Sequence, residues 1–361
     1  MVLRCSSSGN TRIDRFGTPC AGIRCGETKE MIAMTGAYAA KRVLHRRRSL
    51  EAAALGIGCR LAVKNVIRAW ALQPDLAWPL SSIDHIVGLV PRRSSSVSVQ
   101  PVALPNCPAE LVRAPGTSGR NAILYLHGGA FLTCGLNTHR ALASRLSAAA
   151  DALVLNVGYR MLPVCGLADA VEDALAGLSW LRRRGYGADR TVIAGDSAGG
   201  YLAFGTALSS LAHGVVPAAG LAAISPLIDL DPTQKLAHRN ASRCSMFTGA
   251  ALSAFARCVR RSQCEADRCD AEPLIDPATA ALTGMPPVMI HVGADELLLA
   301  DSELVAGRLA AAHAPCELHV WSGQIHDFPL AADILPEGRR AIGYVGDFVK
   351  GVTAAPARGV A

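Results

Sequence analysis

Aromatic side chains are scarce: seven Phe, six Tyr and four Trp stand among 361 residues. Long apolar runs are missing as well. No stretch of 18 or more uncharged apolar residues occurs, so no spanning helix is expected. A secretory signal would need a basic start, an apolar core and a small-residue cleavage site. The weakly apolar "MIAMTGAYAA" at 31–40 has its basic cluster after it, which excludes that reading. Cysteine is present twelve times but never as C-x-x-C. The tightest group, Cys258, Cys264 and Cys269, has neither zinc spacing nor the density of a disulfide scaffold. Small apolar fillers in a reducing compartment account for these residues, and a cytoplasmic location follows as the expectation.

Charge is present but uneven. Residues 1–75 hold 13 Lys/Arg against five Asp/Glu, while the rest of the chain is near neutral. A basic arm can touch an anionic membrane surface, where the protein would be peripheral. A solvated helix face or a leader without fixed structure accounts for the same charges. Nucleic acid is not an expected partner. Residues 1–49 read as a basic leader, without fixed structure or partly helical. Residues 50–72, "LEAAALGIGCRLAVKNVIRAWAL", read as a helix with Arg60, Lys64 and Arg68 on one stripe. It can dock on the protein body or on a membrane.

From residue 121 the pattern changes. Short apolar runs ("NAILYLH", "DALVLNVGY", "RTVIAG", "GLAAISPLIDL", "PPVMIHVG", "CELHVWSG") alternate with helical segments such as "LADAVEDALAGLSWLRRRG". Such alternation implies an α/β fold, a mostly parallel sheet with helices on both faces. Polar, helical residues 231–284 interrupt the rhythm as an insertion. Residues 91–230 and 285–361 then form the two parts of one core.

"AGDSAGG", Ala194–Gly200, lies between a strand and a helix. No lysine follows it as in a phosphate-binding loop, and it does not supply G-x-G-x-x-G. G-x-S-x-G in this place, with Ser197 flanked by Gly195 and Gly199, meets the demands of a nucleophile elbow, although an ordinary strand-turn-helix joint with a chance serine would read the same, so the partners decide. A serine hydroxyl needs a base, an acid that orients the base, and donors for the oxyanion. Upstream, "LYLHGGAF" offers the backbone N–H groups of Gly128, Gly129 and Ala130, to be joined by that of Ala198. Downstream, Asp295 and His326 each follow a strand end, in the hydrolase order serine, acid, histidine. Glu296 and Asp301 are expected on the next helix, and Asp327 is expected to face away. His291 is inside a strand, and His313 and His319 do not follow strand ends. His127 precedes the serine and reads as structural. The expected site is therefore Ser197, Asp295 and His326.

"HGGAF", "GDSAGG", "YRMLP", "ADAVEDALAGLSWL", "ISPLIDL", "MPPVMIHVGADELLLADS" and "VWSGQIHDF" together resemble the bacterial hormone-sensitive-lipase-like branch of the α/β-hydrolase-fold carboxylesterases. The resemblance runs from about residue 121 to 349. It implies hydrolysis of a small-molecule carboxylic ester through an acyl-enzyme, without metal or cofactor, under a cap built from helices in 50–90 and the 231–284 insertion. Two places depart from the family pattern. Ala130 stands where a third glycine is more usual, and "YRMLP" lacks the glutamate that normally follows. The cap length suggests short- to medium-chain acyl esters. An amidase or peptidase with the same triad, and a non-catalytic small-ligand binding module on the same fold, are the alternatives; the latter would be expected to lack a triad member.

Overall fold

The computed structural model describes residues 27–31, 40–76, 78–80, 82–89, 96–266 and 274–354. The sheet begins with β1 (Glu27–Met31), β2 (Lys41–His45), β3 (Ser98–Ala103), β4 (Pro108–Arg113) and β5 (Asn121–Leu126). It continues with β6 (Ala152–Val157), β7 (Thr191–Asp196), β8 (Gly220–Ile224), β9 (Val288–Gly293) and β10 (Cys316–Trp321). The spatial order is β1-β2-β10-β9-β8-β7-β5-β6-β4-β3. From β2 to β6 all neighbours are parallel; β1, β4 and β3 are antiparallel to theirs.

Period-two alternation decides which face each side chain enters. On β5, Ala122, Leu124 and Leu126 join one apolar cluster, and Ile123 and Tyr125 join another. The first cluster packs under α5 (Leu167–Arg183), α6 (Ala198–Ala212) and α9 (Leu299–Ala311). The second packs under α4 (Leu136–Ala150) and α10 (Pro336–Thr353). Strands β5 to β9 are buried nearly throughout, as a parallel sheet covered on both faces requires.

The N-terminal region differs from the sequence reading. Lys41–His45, assigned there to the leader, is a strand that pairs in parallel with β10, from Lys41 opposite Glu317 to His45 opposite Trp321. Burial explains it: Val43 and His45 are covered, and the His45 ring stacks on Trp321 at 3.6 Å. The helix expected over 50–72 breaks at Ala62 into α1 (Leu50–Leu61) and α2 (Val63–Leu72). Two members of its basic stripe donate to backbone carbonyls of the insertion: Arg60 to Arg243 and Lys64 to Cys244, the latter at 2.6 Å. Ala71 of α2, with Ile67 and Trp70 beside it, packs on Ala251 and Ala254 of α8 (Gly249–Ala266). Between α2 and β3 lies α3 (Ser82–Leu89), and α7 (Thr233–Ala237) opens the insertion. Cys264 belongs to α8, whereas Cys269 and residues 91–95 lie outside the described residues. No described helix is long and apolar enough to cross a membrane.

Candidate active site

Ser197 occupies the turn between β7 and α6 with φ 50° and ψ −118°. That conformation is costly for a residue with a Cβ, and the surroundings impose it. A Cβ at Gly195 would overlap the carbonyl of Gly199, and one at Gly199 would overlap that of Leu126. Both glycines are therefore steric requirements of the turn. The main chain is held on both sides: Ser197 N–H donates to Ile224 O, and Leu227 N–H donates to Ser197 O.

His326 stands in the turn after β10. Its Nε2 lies 2.9 Å from Ser197 Oγ. Its Nδ1 lies 2.5 Å from Glu296 Oε2. Phe247 of the insertion meets the ring edge-on at 4.8 Å. All three side chains of this chain are nearly buried.

Asp295, the expected acid, is not the partner of His326. It turns outward and pairs with Arg243 at 3.3 Å, both side chains well exposed. The helix expected to claim Glu296 starts only at Leu299. Glu296 thus lies in the turn after β9, and its longer side chain folds back under the sheet end. There Oε1 accepts from Gly293 N–H at 2.5 Å and from Ser225 Oγ at 2.7 Å. These two donors fix the carboxylate and leave Oε2 for the imidazole. The adjacent "DE" pair was the only sequence signal, and a one-turn error in the helix start reversed the choice.

Asp327, expected to face away, also turns inward. It adopts a left-handed φ of 51°, which carries its Oδ2 to 3.0 Å from His326 Nε2. Burial of Asp327 disfavours its ionised form and raises its pKa to about 7. Burial works against charging His326, but the carboxylates of Asp327 and Glu296 outweigh it and hold its pKa well above the ordinary histidine range.

Of the four expected oxyanion donors, Gly128 is otherwise engaged: its N–H donates to Asp196 Oδ1 at 3.0 Å. Gly129, Ala130 and Phe131 follow with φ of 119°, 55° and 58°, a tight left-handed turn. A Cβ on Gly129 would overlap Thr133 O. The N–H groups of Gly129, Ala130 and Ala198 donate to no backbone carbonyl or side chain among the described residues. Ala198 is also the first residue of α6, whose N-terminal dipole favours negative charge there.

Asp196, unremarked in the sequence, ties this loop to the elbow. Fully buried, it accepts from Tyr125 Oη at 2.5 Å as well as from Gly128, and it faces His139 Nε2 at 3.1 Å. Burial opposes its ionisation, but His139 and the donors prevail, and its pKa falls below the usual carboxylate value. His139 Nδ1 lies 2.9 Å from Thr138 Oγ1, and Asp84 of α3 accepts from Thr138 N–H at 2.7 Å. The N-terminal helices are thereby coupled to the nucleophile turn. His127, as expected, is structural: it stacks on Tyr159 at 4.2 Å, and burial lowers its pKa to about 4.

A strained serine, a histidine and a carboxylate converging on the strand ends of a parallel sheet define a serine hydrolase type of site. Comparison with known proteins makes the class specific. The α/β hydrolase fold family matches residues 123–330. The esterase LipU of Mycobacterium tuberculosis is 42% identical over 299 residues, covering 81% of this chain and all of that one. The carboxylesterase/phospholipase LipF of the same organism is 38% identical over 304 residues, covering 82% of this chain and 81% of that one. A crystal structure of EstE5 soaked with p-nitrophenyl butyrate superposes with a TM-score of 0.72 at 32% identity, covering 85% of this chain and all of that one. An esterase from the bacterial hormone-sensitive lipase family superposes with a TM-score of 0.71 at 28% identity, over 85% of this chain and 99% of that one. The chain belongs to the α/β hydrolase fold family, in its hormone-sensitive-lipase-like carboxylesterase branch.

Proposed function

We propose that this serine ester hydrolase works through Ser197, His326 and Glu296. The Ser197 Oγ attacks the ester carbonyl carbon while His326 Nε2 takes its proton. Negative charge that develops on the carbonyl oxygen is met by the N–H groups of Gly129, Ala130 and Ala198. His326 then delivers the proton to the leaving alcohol, and water repeats the cycle on the acyl-enzyme. Glu296 keeps the proton of the neutral ring on Nδ1 and stabilises the charged ring. The observation that supports this reading is the continuous contact from Ser197 Oγ through His326 to Glu296. Labelling with a fluorophosphonate tests it: the wild type should be labelled and Ser197→Ala should not. Label retained in the variant would assign the nucleophile elsewhere.

The substrate reading is short- to medium-chain acyl esters. It is supported by a cap of modest helices and by the butyrate ester used on the similar EstE5. Rates across an acyl-chain series check it, and a maximum only with long chains above their micelle threshold would reverse it. Peripheral membrane contact through the N-terminal helices is the finer reading of location. Exposed Leu50, Ile57, Leu61, Val66 and Leu72, with the exposed Arg47 and Arg48 nearby in sequence, support it. Sedimentation with anionic vesicles checks it, and recovery of all protein in the supernatant would exclude it.

A further inference from the structure

His326 Nε2 faces two oxygens, Ser197 Oγ at 2.9 Å and Asp327 Oδ2 at 3.0 Å. The second contact is unneeded for the chemistry above and has a definite consequence. A carboxylate oxygen and an unprotonated ring nitrogen both present lone pairs, so they repel at that distance. The contact is a close electrostatic one and not an aligned hydrogen bond: a proton on the ring turns the repulsion into attraction between unlike charges. We propose that Asp327 is a positioning residue that holds a proton on the Nε2 side of His326 in the resting enzyme, so that acid switches the histidine off as a base and release of that proton to solvent switches it on. The proposal rests on the reading of Ser197 and His326 as nucleophile and base.

The surroundings reinforce this. Asp327 is 8% exposed, its Oδ1 has no hydrogen-bond partner among the described residues, and its N–H is fixed on Ser225 Oγ at 3.3 Å. The titratable groups that face it are Glu296 in the turn after β9, Asp196 at the end of β7, Tyr125 on β5, Cys134 in the loop after β5 and His139 on α4. Glu296 and Asp196 are carboxylates, which makes a further negative charge at Asp327 costly unless a proton accompanies it. The raised pKa values of both Asp327 and His326 agree in direction. With the proton gone, Nε2 has a free lone pair and the Ser197 hydroxyl can donate to it.

The test is the pH dependence of kcat/KM, and of the fluorophosphonate labelling rate, in wild type and Asp327→Asn. The amide carries no charge and removes the attraction that favours a charged ring. The acidic limb should move to lower pH by roughly one unit or more. One unit below the wild-type midpoint, the variant should then keep about fivefold more of its own plateau rate than the wild type does. A variant whose plateau falls while its limb stays put would show a merely structural role and overturn the proposal, as would a limb that moves upward. Should the variant fail to fold, the wild type alone decides through NMR of the His326 ring across pH. A ring nitrogen that still carries its Nε2 proton at pH 7 is expected; a ring already neutral on Nε2 at pH 6 would overturn it. Loss of label in Ser197→Ala beside an unmoved limb refutes only Asp327's role, whereas label retained in Ser197→Ala refutes the parent reading.

Discussion

Substitution of Glu296 against substitution of Asp295 separates the inward acid from its outward neighbour. In Glu296→Gln the side chain keeps its shape but loses its charge. The Oε1 position receives two donors, Gly293 N–H and the Ser225 hydroxyl, so the amide oxygen takes that place. The amide NH2 must then face His326 Nδ1 and donate to it. That forces the ring proton onto Nε2, the nitrogen that has to accept from Ser197. A wrong tautomer with intact geometry costs on the order of 10⁴ in kcat, or about 5.4 kcal/mol of transition-state stabilisation. Asp295→Asn removes only an exposed pair with Arg243, so its cost should stay within about 1 kcal/mol, less than roughly tenfold. Steady-state kinetics on a short-chain chromogenic ester give both values, with circular dichroism to establish folding. A folded Glu296→Gln protein with near-normal kcat, or a larger loss in Asp295→Asn, would refute the assignment.

Other expected outcomes follow from the same contacts. Gly199→Ala should destabilise by about 1–3 kcal/mol or prevent folding, because its Cβ meets the Leu126 carbonyl; urea unfolding measures it. Lys235→Met strands the buried Asp301 carboxylate that Lys235 contacts at 2.9 Å, and should cost about 3–5 kcal/mol in the same assay. Burial and then His319 lower the His45 pKa to about 3, whereas an unfolded histidine titrates near pH 6.5. The unfolded chain therefore takes up a proton that the native state refuses. Stability from this ring is full above about pH 6.5 and lost as pH falls toward about 3, by up to roughly 1.4 kcal/mol per unit. Urea midpoints between pH 7 and 4 should fall less steeply in His45→Phe, and an unchanged slope would contradict this.

The parallel core was legible because its strands are short apolar runs bounded by turns, and the elbow because two glycines are sterically compulsory around Ser197. The acid was not, since the outcome turned on where α9 begins. No period or cap marks Leu299 over Glu296, and no side-chain cap closes that helix end. Asp327 was misread because its left-handed backbone, unusual for a residue with a side chain, reverses the direction in which a neighbour of His326 should point. Strand β2 escaped notice because charged Lys41 and Arg42 dominate its composition, while its fit depends on Trp321, far away in sequence. The loss of Gly128 as a donor could be seen only once Asp196 was known to lie beneath it.

The pairing of β2 with β10 has a consequence for biosynthesis. Lys41 and its partner Glu317 are 276 residues apart. At roughly 5–20 residues per second, the ribosome makes the first of these about 14–55 s before the second. Through that interval the strand has no template, and the helices next to it lack the carbonyls of Arg243 and Cys244. A segment made well before β10 is thus among the last to find its place, and nascent chains carry an apolar, cationic stretch awaiting closure that a chaperone could recognise.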